Sequence, residues 1–244
     1  DHNHNRQYAA FNFAQSMLNS CEKDAILFVD GDNDTYPLWY CQNVEKIRQD
    51  VRVINRELLN NSYSINLLKK DLPNNKGLKL SLKEDQYKEG TMEIVQMIPN
   101  FDTVEIKSAL KDLYEDKGND DKIKDCIKSC HNNKFFLVNN NDTISWNIDD
   151  GELTKSDIVM LDIIANNISS RPIYFSSYSN DNFLGLDDYL SLEGFAYRIN
   201  DKKSSSIEEI IAQKAGEINA DKMYENILHG FAFDNFNKKI YFNE

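Results

Sequence analysis

At 244 residues, 41% hydrophobic and 28% charged, the chain is long enough to bury a substantial core as one large domain or two small ones. Its formal net charge of -12 repels phosphate backbones, and no Lys/Arg cluster interleaved with aromatics offsets it, so no nucleic-acid partner is expected. No apolar run approaches the roughly 20 residues that cross a bilayer. The longest, Ile158 to Ala165, is broken by Asp162, so the chain as given is expected to be soluble. Its start at Asp1, without Met or a signal-like segment, leads us to expect a mature form or a fragment of something longer.

In chain order, Asp1-His2-Asn3-His4-Asn5-Arg6 reads as a frayed, solvated terminus, although two histidines beside an Asp also suit a metal. Residues 7 to 20 place Tyr8, Phe11, Phe13, Ala14, Met17 and Leu18 near the helical period. Ala25 to Val29 is a strand that delivers the turn Asp30-Gly31-Asp32-Asn33-Asp34-Thr35, and Pro37 to Ile47 is helical up to the strand Val51 to Ile54. Glu57 to Lys70 again reads as helix, and Asp71 to Lys79 as a polar connection.

This β-α-β-α order predicts an α/β fold. We expect a mostly parallel, Rossmann-like three-layer sheet, with the Asp30 turn on the same rim as the end of the Val51 strand. Residues 80–133 read as an irregular insertion, with charge-rich Lys111 to Lys124 showing little core face. Phe135 to Trp146, turning at Asn139 to Asp142, reads as a hairpin that forms an antiparallel edge. Thr154 with Asp157 predicts a capping box opening a core helix, followed by a strand at Arg171 to Phe175. Gly185 to Leu190 lies on a loop whose acids are expected to face the first rim, and Glu193 to Ile199 is a further strand. Ser204 to Gly216 and Ala220 to Leu228 read as short helices before a last segment at Lys239 to Phe242. The whole chain is read as a single domain.

The turn at 30–35 is the densest chemical feature, since three carboxylates in five residues repel one another unless a cation or backbone N–H groups offset them. Two readings stay open. One is a site, because open α/β sheets bind ligands where a strand ends and a helix begins. The other is a capped turn, with Asp34 or Thr35 as N-cap and Pro37 in the first helical turn. An aspartyl-nucleophile phosphatase pattern fails in both frames, because position 34 or 36 is Asp or Tyr where Thr or Val is needed. A calcium loop fails too, with Thr35 in place of Gly and Cys41 in place of Glu. Asp30-Gly31-Asp32 and Asp32-Asn33-Asp34 both fit the short D-x-D pattern that holds Mg2+ or Mn2+ against a diphosphate, yet 40 acids make that pattern common by chance.

No phosphate-binding loop, hydrolase elbow or zincin helix is present, and four histidines supply a His-based triad poorly. Cys126, Cys130 and His131 form a C-x3-C-H cluster on what reads as one helical face, but a structural zinc wants a fourth ligand, so exposed thiols are expected.

The run from Asp30 to Tyr40 with Ile47 to Asn55, joined by Asp1 to Arg6, Gln86 to Thr91, Leu153 to Asp157, Arg171 to Phe175 and Leu184 to Gly194, resembles a known family. It is similar to the soluble C-terminal region of bacterial multi-spanning membrane proteins of the protein O-mannosyltransferase-like, GT-C glycosyltransferase type. The resemblance covers nearly the whole chain, apart from Lys111 to His131, and Asn61 to Ser64 departs from an aromatic pair at that place. It implies a fragment hung from transmembrane helices on the periplasmic side of the inner membrane, with its own transmembrane portion and a protein acceptor or glycan as partners.

It also implies that the transfer chemistry sits in that membrane portion, so the fragment has no turnover of its own. The expected ligand-binding residues are then Asp30, Asp32, Asn33, Asp34, Thr35, Tyr36, Asp187, Asp188 and Glu193, lining a polar cleft. Tyr36, Trp39 and Tyr40 offer sugar-stacking faces or core packing. The competing expectation is a stand-alone sugar-nucleotide or phosphate-ester enzyme using Asp30, Asp32 and Asp34 around Mg2+ or Mn2+.

Overall fold

In the computed structural model the described residues are 8–115, 126–178, 182–203 and 216–232. The expectations for Asp1 to Arg6 and Lys239 to Phe242, and that for Ser204 to Gly216 apart from its last residue, lie outside them. The elements in order are α1 (Ala9–Ser20), β1 (Ile26–Val29), α2 (Gly31–Asn43), β2 (Arg52–Asn55), a 3-10 turn (Glu57–Asn60), α3 (Ser62–Leu68) and α4 (Glu84–Tyr87). Then come β3 (Ile94–Met97), β4 (Val104–Glu105), α5 (Ile106–Glu115), β5 (Ile127–Cys130), β6 (Lys134–Asn139), β7 (Asp142–Asn147), β8 (Glu152–Thr154) and α6 (Lys155–Asn167). The chain continues through β9 (Ile173–Ser176), a 3-10 turn (Asp187–Tyr189), β10 (Leu190–Leu192), β11 (Ala196–Ile199), β12 (Glu217–Ile218) and α7 (Ala220–Glu225).

The fold is mixed α/β with three mixed sheets. The largest has six strands in the order β12-β10-β11-β9-β1-β2. Pairs β1–β2, β1–β9 and β10–β12 are parallel, whereas β11 runs antiparallel to both β9 and β10. All four residues of β1 are buried, because Ile26 and Phe28 face one core while Leu27 and Val29 face another. A strand covered on both faces needs an unbroken apolar run, which is what Ile26 to Val29 supplies. On one face α1 and α2 contribute Met17, Leu18, Leu38 and Cys41. On the other, α5, α6 and the two small sheets build the larger core.

Helix α6 is the hub of that larger core. Its cap is a full capping box, with the Thr154 hydroxyl and backbone joined to the Asp157 carboxylate and backbone N–H. Of its residues only Asn166 escapes burial, the pattern of a helix walled on all sides. Even Lys155 is fully buried, its ammonium donating to Glu93 Oε1 at 2.6 Å and to the Lys88 carbonyl at 3.1 Å. Asp162 is likewise buried, accepting from the Ser81 backbone and hydroxyl and from the Leu82 N–H. Burial pushes its carboxyl up, while those bonds from Ser81 and Leu82 pull it back.

Several expectations are corrected. The hairpin β6–β7 exists, but it pairs with β4 in its own three-stranded sheet instead of edging the main one; the antiparallel strands of the main sheet are β10 and β11. The stretch 80–133 is not irregular where described: it holds α4, β3, β4, α5 and β5, with Tyr87, Val95, Ile106 and Leu110 buried. Strands β3 and β4 are too short for alternation to show in sequence. The helix expected over Glu57 to Lys70 breaks at Asn61, whose side chain caps α3 by accepting from Ser64 N–H at 3.2 Å. Cys130 ends β5 and is buried, while Cys126 stands just before that strand, so the two do not share one helical face.

Candidate functional site

Strands β1, β2 and β9 end side by side, with Val29 opposite Asn55 and Phe28 opposite Phe175. The Asp30 turn therefore does share a rim with the end of β2, as the βαβ order required. Asp30 is the N-cap position of α2, and Gly31 takes φ +68, where residues with a Cβ are disfavoured. This sharp reversal starts the helix at residue 31, four positions earlier than the capped-turn reading allowed. Neither Asp34 nor Thr35 is the cap, and Pro37 lies well inside the helix, where its missing N–H interrupts the backbone ladder.

Because the turn is already helical, its side chains fan out around an axis. Asp30 accepts from Arg56 Nη1 at 3.2 Å. Asp32 and Asn33 point to solvent, and Tyr36 is exposed, meeting Trp39 edge-on at 6.1 Å. Asp34 is buried and accepts from the Ser176 hydroxyl at 2.9 Å. Burial raises its carboxyl above the usual range, the Ser176 bond opposes that, and the nearby Asp30 charge adds to it. Thr35 donates back to the Gly31 carbonyl at 2.6 Å and accepts from Asn55 Nδ2 at 2.9 Å. Asn55 then receives the Glu57 N–H at 2.8 Å, joining α2 to the turn after β2.

Arg56 closes the rim. It is 8% exposed, pairs with Asp30, lies 3.6 Å from Asp157 Oδ1 at the start of α6, and donates to the Asn182 carbonyl at 3.1 Å. Ser156 adds a bond from its hydroxyl to the Arg56 carbonyl at 2.6 Å. Arg56, Asn55 and Ser176 belong to no chemical motif in the sequence. The available signal was positional: each stands at or just after the carboxyl end of a strand adjacent to or including β2 and β9.

The other expected site residues do not join this rim. Strand β10 runs parallel to β1, so Asp187 and Asp188, which precede it, lie at the opposite end of the sheet. Asp188 there pairs with Lys203 at 2.8 Å. Glu193 is buried on the α1 side, accepting from the Tyr174 hydroxyl at 2.9 Å and Asn219 Nδ2 at 2.8 Å. Burial, with Glu193 beside it, drives the Tyr174 hydroxyl far above its ordinary value.

A model of one protein family matches residues 10–140 and 132–222, under the description TMEM260-associated domain 2. The chain belongs to the TMEM260-associated domain 2 family. No curated protein and no solved structure matches it. The family match spans the rim, the core helix and β10 to β12 alike.

Chemically, the TMEM260-associated domain has a rim of charge pairs and hydroxyl–carboxylate bonds. Ser176 is fully buried and donates to Asp34, and the histidines among the described residues, His131 and His229, are exposed. A nucleophilic serine needs a base and access to substrate. Among the described residues no three His, Cys, Asp or Glu side chains are grouped as metal ligands, and Asp30, Asp32 and Asp34 turn to a guanidinium, to solvent and to a hydroxyl. Cys21 and Cys41 are buried free thiols, pushed by burial up to about 12 and about 11. No helix among the described residues is long and apolar enough to cross a membrane.

Proposed function

We propose that this chain is an accessory domain of a TMEM260-like membrane protein related to protein O-mannosyltransferases, and that it positions the acceptor protein or covers the active site without turnover of its own. The observation that carries the reading is the family match over residues 10–140 and 132–222. The parent is a GT-C type glycosyltransferase in this reading, with the domain on the periplasmic side of the inner membrane. The parallel β2-β1-β9 unit with α2 supports a Rossmann-like core for it. Asp30, Asp34, Thr35 and Arg56 brace the rim, which leaves Asp32, Asn33 and Tyr36 as its outward, acceptor-facing groups.

The test uses the full-length membrane protein. Asp32→Ala with Tyr36→Ala should raise the KM for a protein acceptor about fivefold or more, the equivalent of one lost polar contact, while kcat is kept. An unchanged KM with an intact fold removes the rim from acceptor positioning.

A further inference from the structure

Strand β2 stands at the open edge of the six-stranded sheet, with no strand beyond it among the described residues. In a parallel ladder alternate residues bond the neighbour. Arg52 N–H reaches the Ala25 carbonyl and Arg56 N–H the Val29 carbonyl, so the backbone groups of Val53 and Asn55 turn outward, away from β1. Beside them runs a groove of about 680 Å3, between Trp39 and Gln42 of α2 and Tyr63 and Leu67 of α3. That volume is in the range of ligand clefts. Tyr63 is 69% exposed and Leu58, Leu67 and Leu72 are also exposed, so the apolar walls are uncovered.

Charge gives the groove a preference. Its formal charges are Arg52, Lys70 and Asp71, two cations against one anion, in a chain of net charge -12. Arg52 is 5% exposed; its Nη2 donates to the carbonyls of Leu67, Leu68 and Lys70, and no carboxylate pairs with it among the described residues. Its Nη1 is buried without a partner among the described residues. A buried donor left unmade is costly, and an entering carboxylate would relieve it.

We propose that the β2 edge groove binds an extended, largely apolar polypeptide segment bearing an acidic side chain, which adds to the sheet as a strand beside Val53 and Asn55. Strand addition takes affinity from main-chain bonds and specificity from pockets for alternate side chains. This rests on the acceptor-positioning reading and names where the acceptor chain would lie.

The probes are ten-residue peptides of alternating Val and Thr flanked by Ser, one with a central Asp, one with a central Lys and one N-methylated on alternate backbone amides. The domain should bind the Asp peptide, with slowed hydrogen exchange at the Val53 and Asn55 amides, and bind the Lys peptide more weakly. The N-methylated peptide should not bind. Val53→Pro removes an outward N–H and no bond to β1, so the fold should persist. It should weaken the Asp peptide about tenfold or more. Binding unchanged in Val53→Pro, equal binding of the Asp and Lys peptides, or no binding of any peptide at millimolar concentration each overturns the proposal. Concentration-dependent dimerisation that Val53→Pro abolishes would assign the groove to a second copy and overturn it likewise. If the peptide binds as expected but Val53→Pro leaves glycosylation by the full-length protein untouched, the groove stands and the acceptor-positioning reading falls.

Discussion

The carboxyl rim and the β2 edge lie a few residues apart and treat their polar groups in opposite ways. At the rim, acids crowded in sequence are each given a partner or open water: Asp30 has Arg56, Asp34 has Ser176, and Asp32 has solvent. At the edge, a stretch without chemical signature in sequence leaves main-chain groups and one guanidinium nitrogen unmet among the described residues. Charge density along a chain therefore marks where electrostatic cost must be offset, and the unmet groups show where a partner is wanted.

The comparison is broken most severely through Arg56. Arg56→Ala strands the Asp30 carboxylate and removes the guanidinium beside Asp157, which keeps only its cap bonds to Thr154, at the junction of β1, β2 and α6. Losing one partner of a buried pair costs about 3 kcal/mol, and urea unfolding should show a loss of that size. A loss below about 1 kcal/mol would mean that the rim is not closed by this residue.

Ser176→Ala should cost less, about 1–3 kcal/mol, by leaving Asp34 and the Tyr178 N–H without the hydroxyl they share. Gly31→Ala forces a Cβ into φ +68, and although no atom lies within 4 Å of that position, the strain alone should cost about 1–2 kcal/mol.

Asp34 sharpens the contrast through pH. Its folded carboxyl is raised, so the folded state holds the proton more tightly than the unfolded chain. The stability this gives is fully present below the unfolded carboxyl value of about 3.9 and is lost as pH rises through the folded value. Asp34→Asn should therefore flatten the fall in melting temperature over that range and leave neutral-pH stability equal or higher. A pH profile identical to the parent's would refute the burial effect. The smallest effect is expected from Asp32→Ala, within about 0.5 kcal/mol, because the side chain only meets water.

Where a fold decision is local, the sequence carried it. The capping box at Thr154 and Asp157, the four-residue apolar run of β1 and the hairpin at Lys134 to Asn147 all declare themselves within a few residues. The start of α2 is hidden in the sequence because Pro37 usually sits in a first turn, and only the left-handed Gly31 reveals that the helix is already under way. Asp187 and Asp188 lie on the rim opposite to the expected one because strand direction there depends on β11 reversing between β9 and β10, a pairing no local pattern encodes. The partners Arg56 and Ser176 are 26 and 142 residues from the acids they hold, beyond any spacing rule.

Helix α6 has a last consequence, for how the molecule opens. Its apolar residues belong to one buried cluster that also takes in residues of the main sheet and of both small sheets, with Lys155 and Asp162 held by bonds at its start and middle. All of it but Asn166 is buried. Its amides should exchange with solvent only when the whole domain comes apart, which makes the three sheets a single cooperative unit rather than three that melt in turn.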